Sequence, residues 1–493
     1  MLREKIYFDG CLPFSKRQIR TKRLQTSLRE LARYQDSKQF EQSPKCKKTW
    51  NGDPPARSAV FEAGFPTTSN TFCGLPPASF IVPALLDVLA SSKYGVVTHV
   101  VPGEAETYCA QAARSHVATP IVLSNDTDLF LHDLGSKGSF VYLSTIELRP
   151  FIAEEALSPR SEACEIIKFD VFQPSDIARR LGVDLQKVGF QFSIEPSQTL
   201  LQGIEAAKAQ KAWQKADLIH FLDQYAELSI MKRELLTQEP LTNPAHHPQF
   251  LDPRISELVC QLETLSNRPI EVYLLPLLED PSRTSAWSVS TSHRVFAYSI
   301  CALNREGLAG GISECNRKGS NYIMQDISIM PAAQLLEHGN ELQIQISRCA
   351  KVFSDVPNPL KWRIFAILEV YKWHLTASKT PPTAEMMTRT LTGSVSNRPQ
   401  SWIDIHFEAQ IQAVLYSLRT IRQVLDYTRT HYSTAKVAAI PLQELADCLE
   451  NLPPLAILMP STHELARKAA EVDVESVLQR LAEMLNETAG YAT

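Results

Sequence analysis

Three short apolar runs, each ending in acidic residues, constrain what this 493-residue chain can fold into more than any other feature. Residues 6–8 (IYF) lead into Asp9 and Gly10, and residues 96–101 (VVTHVV) lead into Pro102, Gly103, Glu104 and Glu106. Residues 121–124 (IVLS) lead into Asn125, Asp126, Thr127 and Asp128. Runs this short and this rich in Val and Ile read as buried strands. FIVPALLDVLASS reads as a helix, and so does PGEAETYCAQAARS, which opens with proline and acidic residues as a helix start does. FVYLS supplies a further strand. Strands alternating with helices predict a mainly parallel sheet with helices on both faces. Ligands of such sheets bind outside the carboxyl ends of the strands. Acidic side chains from three strand ends are therefore expected to face one crevice.

Five carboxylates gathered in that way raise one another's pKa unless cations neutralise them. An all-oxygen site suits hard divalent ions, Mg²⁺ or Mn²⁺. Two such ions about 4 Å apart deprotonate a water and stabilise the leaving oxygen in phosphodiester hydrolysis. Each piece also has a plainer reading. Acidic residues after Pro-Gly favour a helix dipole, Asp126 or Asp128 fits an N-cap, and Asp9-Gly10 fits a turn. Their joint occurrence in this order is harder to dismiss.

A basic stretch follows the first acidic turn. Lys16, Arg17, Arg20, Lys22 and Arg23, with Arg29 and Arg33 beyond, fit a helix in which Lys16, Arg20 and Arg23 share a face. Clustered cations beside a phosphodiesterase crevice are expected to contact a phosphate backbone, the alternative being a solvated surface helix. Lys45, Lys47 and Lys48 would extend the patch from a polar, proline-containing loop at residues 43–77.

The bulk numbers narrow the field. The chain is too long for one ordinary core, so two or three domains are expected. A net charge of −4 excludes a histone-like protein but not local phosphate binding. Ten cysteines without a CxxC pair fit neither a zinc ribbon nor a disulfide scaffold. No apolar run approaches the ~20 residues a membrane span needs, and the N-terminus lacks a secretory pattern; a nuclear or cytoplasmic protein is expected. There is no HExxH, GxSxG or Walker motif. Beyond about residue 196 long helical patterns dominate, at 361–375, 403–427 and 464–485, the last behind a capping-box sequence at Ser461. Residues 239–253, 305–321 and 379–400 read as loops, with GLAGG at 307–311 a flexible one. Trp362, Phe365 and Tyr371 read as helix packing rather than base-stacking residues.

The phrasing FDGCLPFSKRQIRTKRL, VVTHVVPGEAETYCAQAA and SNDTDLFLHDLGSKGSF resembles the Asteroid branch of the XPG/flap-endonuclease-like proteins over about residues 6–148. The resemblance implies a PIN-like α/β core over residues 1–200 and a mostly α-helical region over 201–493. It also implies a metal-dependent, structure-selective endonuclease acting on single-stranded or branched DNA, in repair and in the nucleus. Asp9, Glu104, Glu106, Asp126 and Asp128 would be the catalytic metal ligands and the basic helix would guide the strand. A catalytically deficient scaffold or nucleic-acid-binding protein, or an RNase, would use the same fold. Two departures stand out. The family's first strand, with its own aspartate, precedes the FDG strand, whereas this chain opens just before Ile6; a shortened coding sequence is the expectation. The family's further aspartate has no clear counterpart in ARRLGVDLQKVGFQFSIEPSQTLL, where Glu195, with Asp184 as the alternative, stands in as a ligand, and no glycine-rich clamp follows.

Overall fold

The computed structural model describes residues 5–13, 16–41, 79–150, 165–209, 215–222, 225, 250–264, 269–303, 311–393, 401–431, 442–460 and 462–492. Among the described residues ten strands occur in chain order: β1 Ile6–Asp9, β2 Thr98–Val101, β3 Ile121–Ser124, β4 Ser139–Tyr142, β5 Glu147–Pro150, β6 Glu165–Lys168, β7 Val171–Phe172, β8 Ile270–Tyr273, β9 Ile312–Lys318 and β10 Asn321–Ile327. The described residues form two compact units that interleave along the chain. Those up to residue 102 and from 250 onward make the first, and those between 103 and 225 make the second.

In the first unit β1 and β2 pair in parallel, with Asp9 opposite Val101. The chain leaves β1 in close quarters, because any side chain at Gly10 would collide with the Val101 carbonyl and Ser256 Oγ. A three-stranded sheet in the order β10-β9-β8 joins an antiparallel hairpin to a parallel strand. Around it pack helices, chief among them Trp402–His431, whose residues Phe407, Ile411, Val414, Leu418 and Ile421 are buried. A helix buried on nearly every side, with polar residues such as Gln410, Ser417 and Arg419 among those buried, lies inside a large core. Charges are buried there in matched sets: Arg294 Nε donates to Glu314 at 2.7 Å and Arg317 Nε to Glu279 at 2.6 Å. Arg419 bridges Asp87 and Asp252, each at 2.7 Å. Trp362 and Phe365 are buried and Tyr371 is half-buried against the same core, as their helical spacing predicts.

In the second unit β3 pairs in parallel with β4, and β7 adds antiparallel to β4. Val122 and Phe140 point to one face and meet Ala110 and Ala113 of the helix Ala105–Arg114. Phe130, Phe140, Tyr142 and Phe172 form an aromatic cluster, the first two 4.6 Å apart edge to face. Helices Pro174–Leu181, Leu185–Ile194, Leu200–Ala209 and Lys215–Leu222 follow. β5 and β6 form a separate antiparallel pair.

Three local expectations are corrected. The stretch 305–321 is not all loop, since β9 runs through it. Its Glu314 and Arg317 are buried partners of Arg294 and Glu279, so a buried strand carries a polar sequence. The stretch 379–400 contains the helix Ala384–Thr392, capped by Thr383 and ended by Gly393 at φ +59°. The run 464–485 is two helices, Thr462–Ala469 and Val474–Ala492, because Asp473 restarts the chain by accepting from Ser476 N at 3.2 Å. Ser461 lies outside the described residues, as do 42–78 and with them Lys45, Lys47 and Lys48. Among the described residues no helix is long and apolar enough to cross a membrane.

Candidate metal and nucleic-acid site

The second unit carries four of the acidic residues at the ends of secondary elements. Glu104 stands at the N-cap position of the helix Ala105–Arg114, with extended backbone (φ −83°, ψ 133°), yet its side chain makes no capping hydrogen bond. Glu106 lies in that helix's first turn, half-buried. Asp126 caps the short turn of helix Thr127–Phe130, its Oδ1 accepting from Asp128 N at 2.8 Å. Ser124 Oγ accepts from Asp126 N at 3.1 Å, and Asn125 Oδ1 accepts from Ser144 N at 3.0 Å, which ties the acidic loop to the end of β4. Leu129, fully buried directly after Asp128, pins the loop to the core. The cap reading of Asp126 is thus realised.

A residue outside the sequence expectations lies within the electrostatic reach of three of these carboxylates. Tyr225 lies against Phe221 and edge-on to buried His132, with ring centroids 5.1 and 5.4 Å away. Its phenol is pushed well above the usual range, first by burial and then by the negative charges of Asp128, Glu104 and Asp126. Carboxylates from the β3 end and from the helix after β2 therefore bear on one hydroxyl. Tyr142 is raised likewise, by burial and then by Asp126. The sequence marks Tyr225 only through its spacing of four from Phe221, which reads as ordinary packing.

The other acidic residues are placed differently. Asp9 ends β1 in the first unit and is exposed. Glu195 is exposed at the C-terminal end of the helix Leu185–Ile194 and accepts from Gln198 Nε2 at 2.7 Å. Asp184 caps that helix through Gln186 N at 2.9 Å. All these donors are hard oxygens, the chemistry Mg²⁺ and Mn²⁺ take. As the side chains stand, no three His, Cys, Asp or Glu among the described residues close into a metal-holding group.

The basic stretch is the helix Arg17–Glu41 of the first unit. Its first turn holds no acidic residue, and cations at a helix N-terminus oppose the helix dipole. The fold answers with distant carboxylates. Arg17 is buried, 3.0 Å from Glu271 and donating to Gln261 at 2.7 Å. Arg20 Nη1 reaches both oxygens of Glu257, at 2.8 and 2.6 Å, and its guanidinium lies over the Tyr273 ring. Leu24, Leu28 and Leu31 continue the same inward face. Lys16 is half-buried. Lys22, Arg23, Arg29 and Arg33 are exposed and make no ion pair among the described residues; Lys22, Arg29 and Arg33, spaced seven and four apart, form one outward stripe.

Comparison with known proteins bears on the family of the chain. Residues 77–329, about half of the chain, match the family described as XPG domain containing. The match includes Glu104, Glu106, Asp126, Asp128 and Glu195 and starts beyond Asp9 and the basic helix. Asteroid homolog 1 of Schizosaccharomyces pombe is 25% identical over 299 residues, which is 59% of this chain and 45% of that protein. The chain thus spans less than half the length of this relative. No solved structure matches. With an acidic α/β core, a helical C-terminal region, an Asteroid-type relative and a family match over half its length, the chain belongs to the XPG domain containing family.

Proposed function

We propose that this protein is a divalent-metal-dependent endonuclease that hydrolyses phosphodiester bonds in single-stranded or branched DNA, in the nucleus and in the service of repair. The observation that carries the reading is the Tyr225 phenol, which feels Asp128, Glu104 and Asp126 at once. Glu104, Glu106, Asp126 and Asp128 would hold Mg²⁺ or Mn²⁺. Asp9 and Glu195 join them on sequence grounds. When bound, the ions supply an activated water and charge neutralisation at phosphorus. The protein's own part is positional. The Asp126 cap and the Asn125 tie fix the acidic turn. Leu129 and the aromatic cluster beneath it hold that turn against the sheet. His132 and Tyr225 pack against each other edge to face. The exposed Lys22 and Arg23 would contact the phosphate backbone, and Arg29 and Arg33 would extend the track; Lys16, Arg17 and Arg20 were the other expected contacts, and the last two already serve Glu271 and Glu257.

The test is Mn²⁺-dependent cleavage of flap, single-stranded DNA and RNA substrates by the full chain and by an Asp126→Asn/Asp128→Asn double variant. DNA cleavage that falls at least a hundredfold in the variant is the expected result. RNA cleavage would make the protein an RNase, and binding without cleavage would make it a scaffold. Undiminished cleavage by the variant removes the site assignment.

A further inference from the structure

Away from the acidic loops, the first unit holds a cleft of about 230 Å³ between the helices Ala332–Val352 and Asn358–Thr376, floored by the helix Thr291–Ala302. One water needs about 10–15 Å³ on this measure, so the space is built for more than a structural water. Helices that pack side by side normally meet through apolar residues. Here the seam is polar instead. His338, Glu341 and Gln345 come from one helix at spacings of three and four, Glu369 and Lys372 from the other, and His293 from the floor.

Most of these groups are matched among themselves. His293 Nε2 lies 3.1 Å from Glu369 Oε2. The Gln345 amide, oriented by its partners, donates to Glu369 Oε1 and accepts from Lys372 Nζ, both at 3.0 Å. Burial alone would push Glu369 up, but His293 and Lys372 outweigh it and hold the carboxyl below its ordinary range. What is left over lies at the rings: His293 is 2% exposed, and neither of its ring nitrogens, nor His338 Nε2, makes a hydrogen bond among the described residues. Burial, then the neighbouring His293, pushes His338 down to about 4, so it is neutral at physiological pH. A neutral imidazole carries one ring nitrogen with a lone pair, so His338 can accept from a donor placed in the cleft. Glu341 stands exposed at the mouth with no ion pair among the described residues. Trp373 lines the wall, and its ring already draws the ammonium of Lys379 to 4.8 Å. The cleft therefore offers unpartnered ring nitrogens, one of them on a neutral His338, and the exposed Glu341 carboxylate, beside an aromatic face.

We propose that this cleft binds a small primary ammonium compound of diamine size, an N–H group donating to His338 Nε2 and its charge facing Glu341. The site is independent of the nuclease reading. The test is calorimetric titration of the full chain with diaminobutane, with butanediol as the neutral control and succinate as the anionic one. Expected are saturable one-to-one binding of the diamine, at least tenfold weaker binding of the diol, and none of the diacid. Glu341→Gln, a change at an exposed position, weakens the diamine at least tenfold, and His338→Leu does the same. Equal binding of the diol, preference for succinate, binding indifferent to Glu341→Gln, or no saturation at millimolar diamine (a cleft that holds water only) each overturns the proposal.

Discussion

Replacing Arg20 by alanine separates the inward and outward faces of the basic helix. Arg20 is one-fifth exposed, whereas its partner Glu257 is 4% exposed, and the two meet at 2.6 Å. Truncating the arginine leaves a buried carboxylate without its cation, which costs roughly 3–5 kcal/mol when burial is complete. Because water can reach the vacated side, the lower end applies, about 3 kcal/mol. Loss of the guanidinium over Tyr273 adds a few tenths to the same sign. Replacing both partners by methionine removes the stranded charge together with the pair, so the double variant should recover most of the loss, a coupling of about 2 kcal/mol in the mutant cycle. The assay is urea unfolding followed by tryptophan fluorescence, to which Trp287, Trp362, Trp373 and Trp402 of the first unit contribute. Lys22→Ala and Arg29→Ala should stay within about 0.5 kcal/mol of the parent. On DNA those two should weaken binding and lower the slope of affinity against salt by about one per lost contact. If Arg20→Ala unfolds at the parental midpoint, or Arg29→Ala loses as much stability as Arg20→Ala, the orientation of the helix is wrong and the division of its cations falls with it.

Three further outcomes follow from the same geometry. Gly10→Ala should destabilise by roughly 1–3 kcal/mol, because its methyl meets the Val101 carbonyl and Ser256 Oγ, neither of which can yield cheaply; a shift in the denaturation midpoint measures it. Arg419→Met strands Asp252, which is 1% exposed, and should cost about 3–5 kcal/mol, read in the same way, with no loss expected if that carboxylate were hydrated. His406, pushed down to about 4 chiefly by burial, is neutral in the fold while the unfolded chain takes up its proton below its ordinary pKa of 6.5. Its contribution is therefore complete above that value and drains away as the pH falls toward 4, by about 3 kcal/mol in order of magnitude; His406→Asn should flatten the acid limb of a stability–pH curve over that interval.

What the sequence discloses, and what it withholds, divides along the reach of the interactions. The strand ends are legible because β-branched runs and the acidic turns behind them are local patterns; even so, residues 95–97 form a tight helical turn and β2 starts only at Thr98. The β8–β10 sheet escapes notice because Glu314 and Arg317 look like loop residues until Arg294 and Glu279 are seen beside them. The helix Ala384–Thr392 had its signals in plain view, Thr383 before it and Gly393 after, outweighed by the prolines and serines around them. Spacing put Lys16, Arg20 and Arg23 on one helical face, but it could not say which face turns inward. That depends on Glu257 and Glu271, more than two hundred residues away. Tyr225 is hidden for the same reason, its significance coming from carboxylates a hundred residues upstream.

The acidic loop shows why a capping role and a ligand role are not rivals. Two helical starts, before Ala105 and before Thr127, lie in the very segments that carry Glu104, Glu106, Asp126 and Asp128. The partial positive charge of a helix start favours carboxylates placed there. Removing Asp126 by alanine therefore mixes two losses, the cap worth about 0.5–2 kcal/mol and the charge. Asparagine keeps the cap, since its side-chain oxygen accepts from Asp128 N as well as the carboxylate does, and removes only the charge. If the site binds metal, Asp126→Asn should abolish Mn²⁺-dependent cleavage at unchanged stability, with Asp126→Ala losing both. If Asp126 serves as a cap alone, the asparagine variant should behave as the parent in every assay.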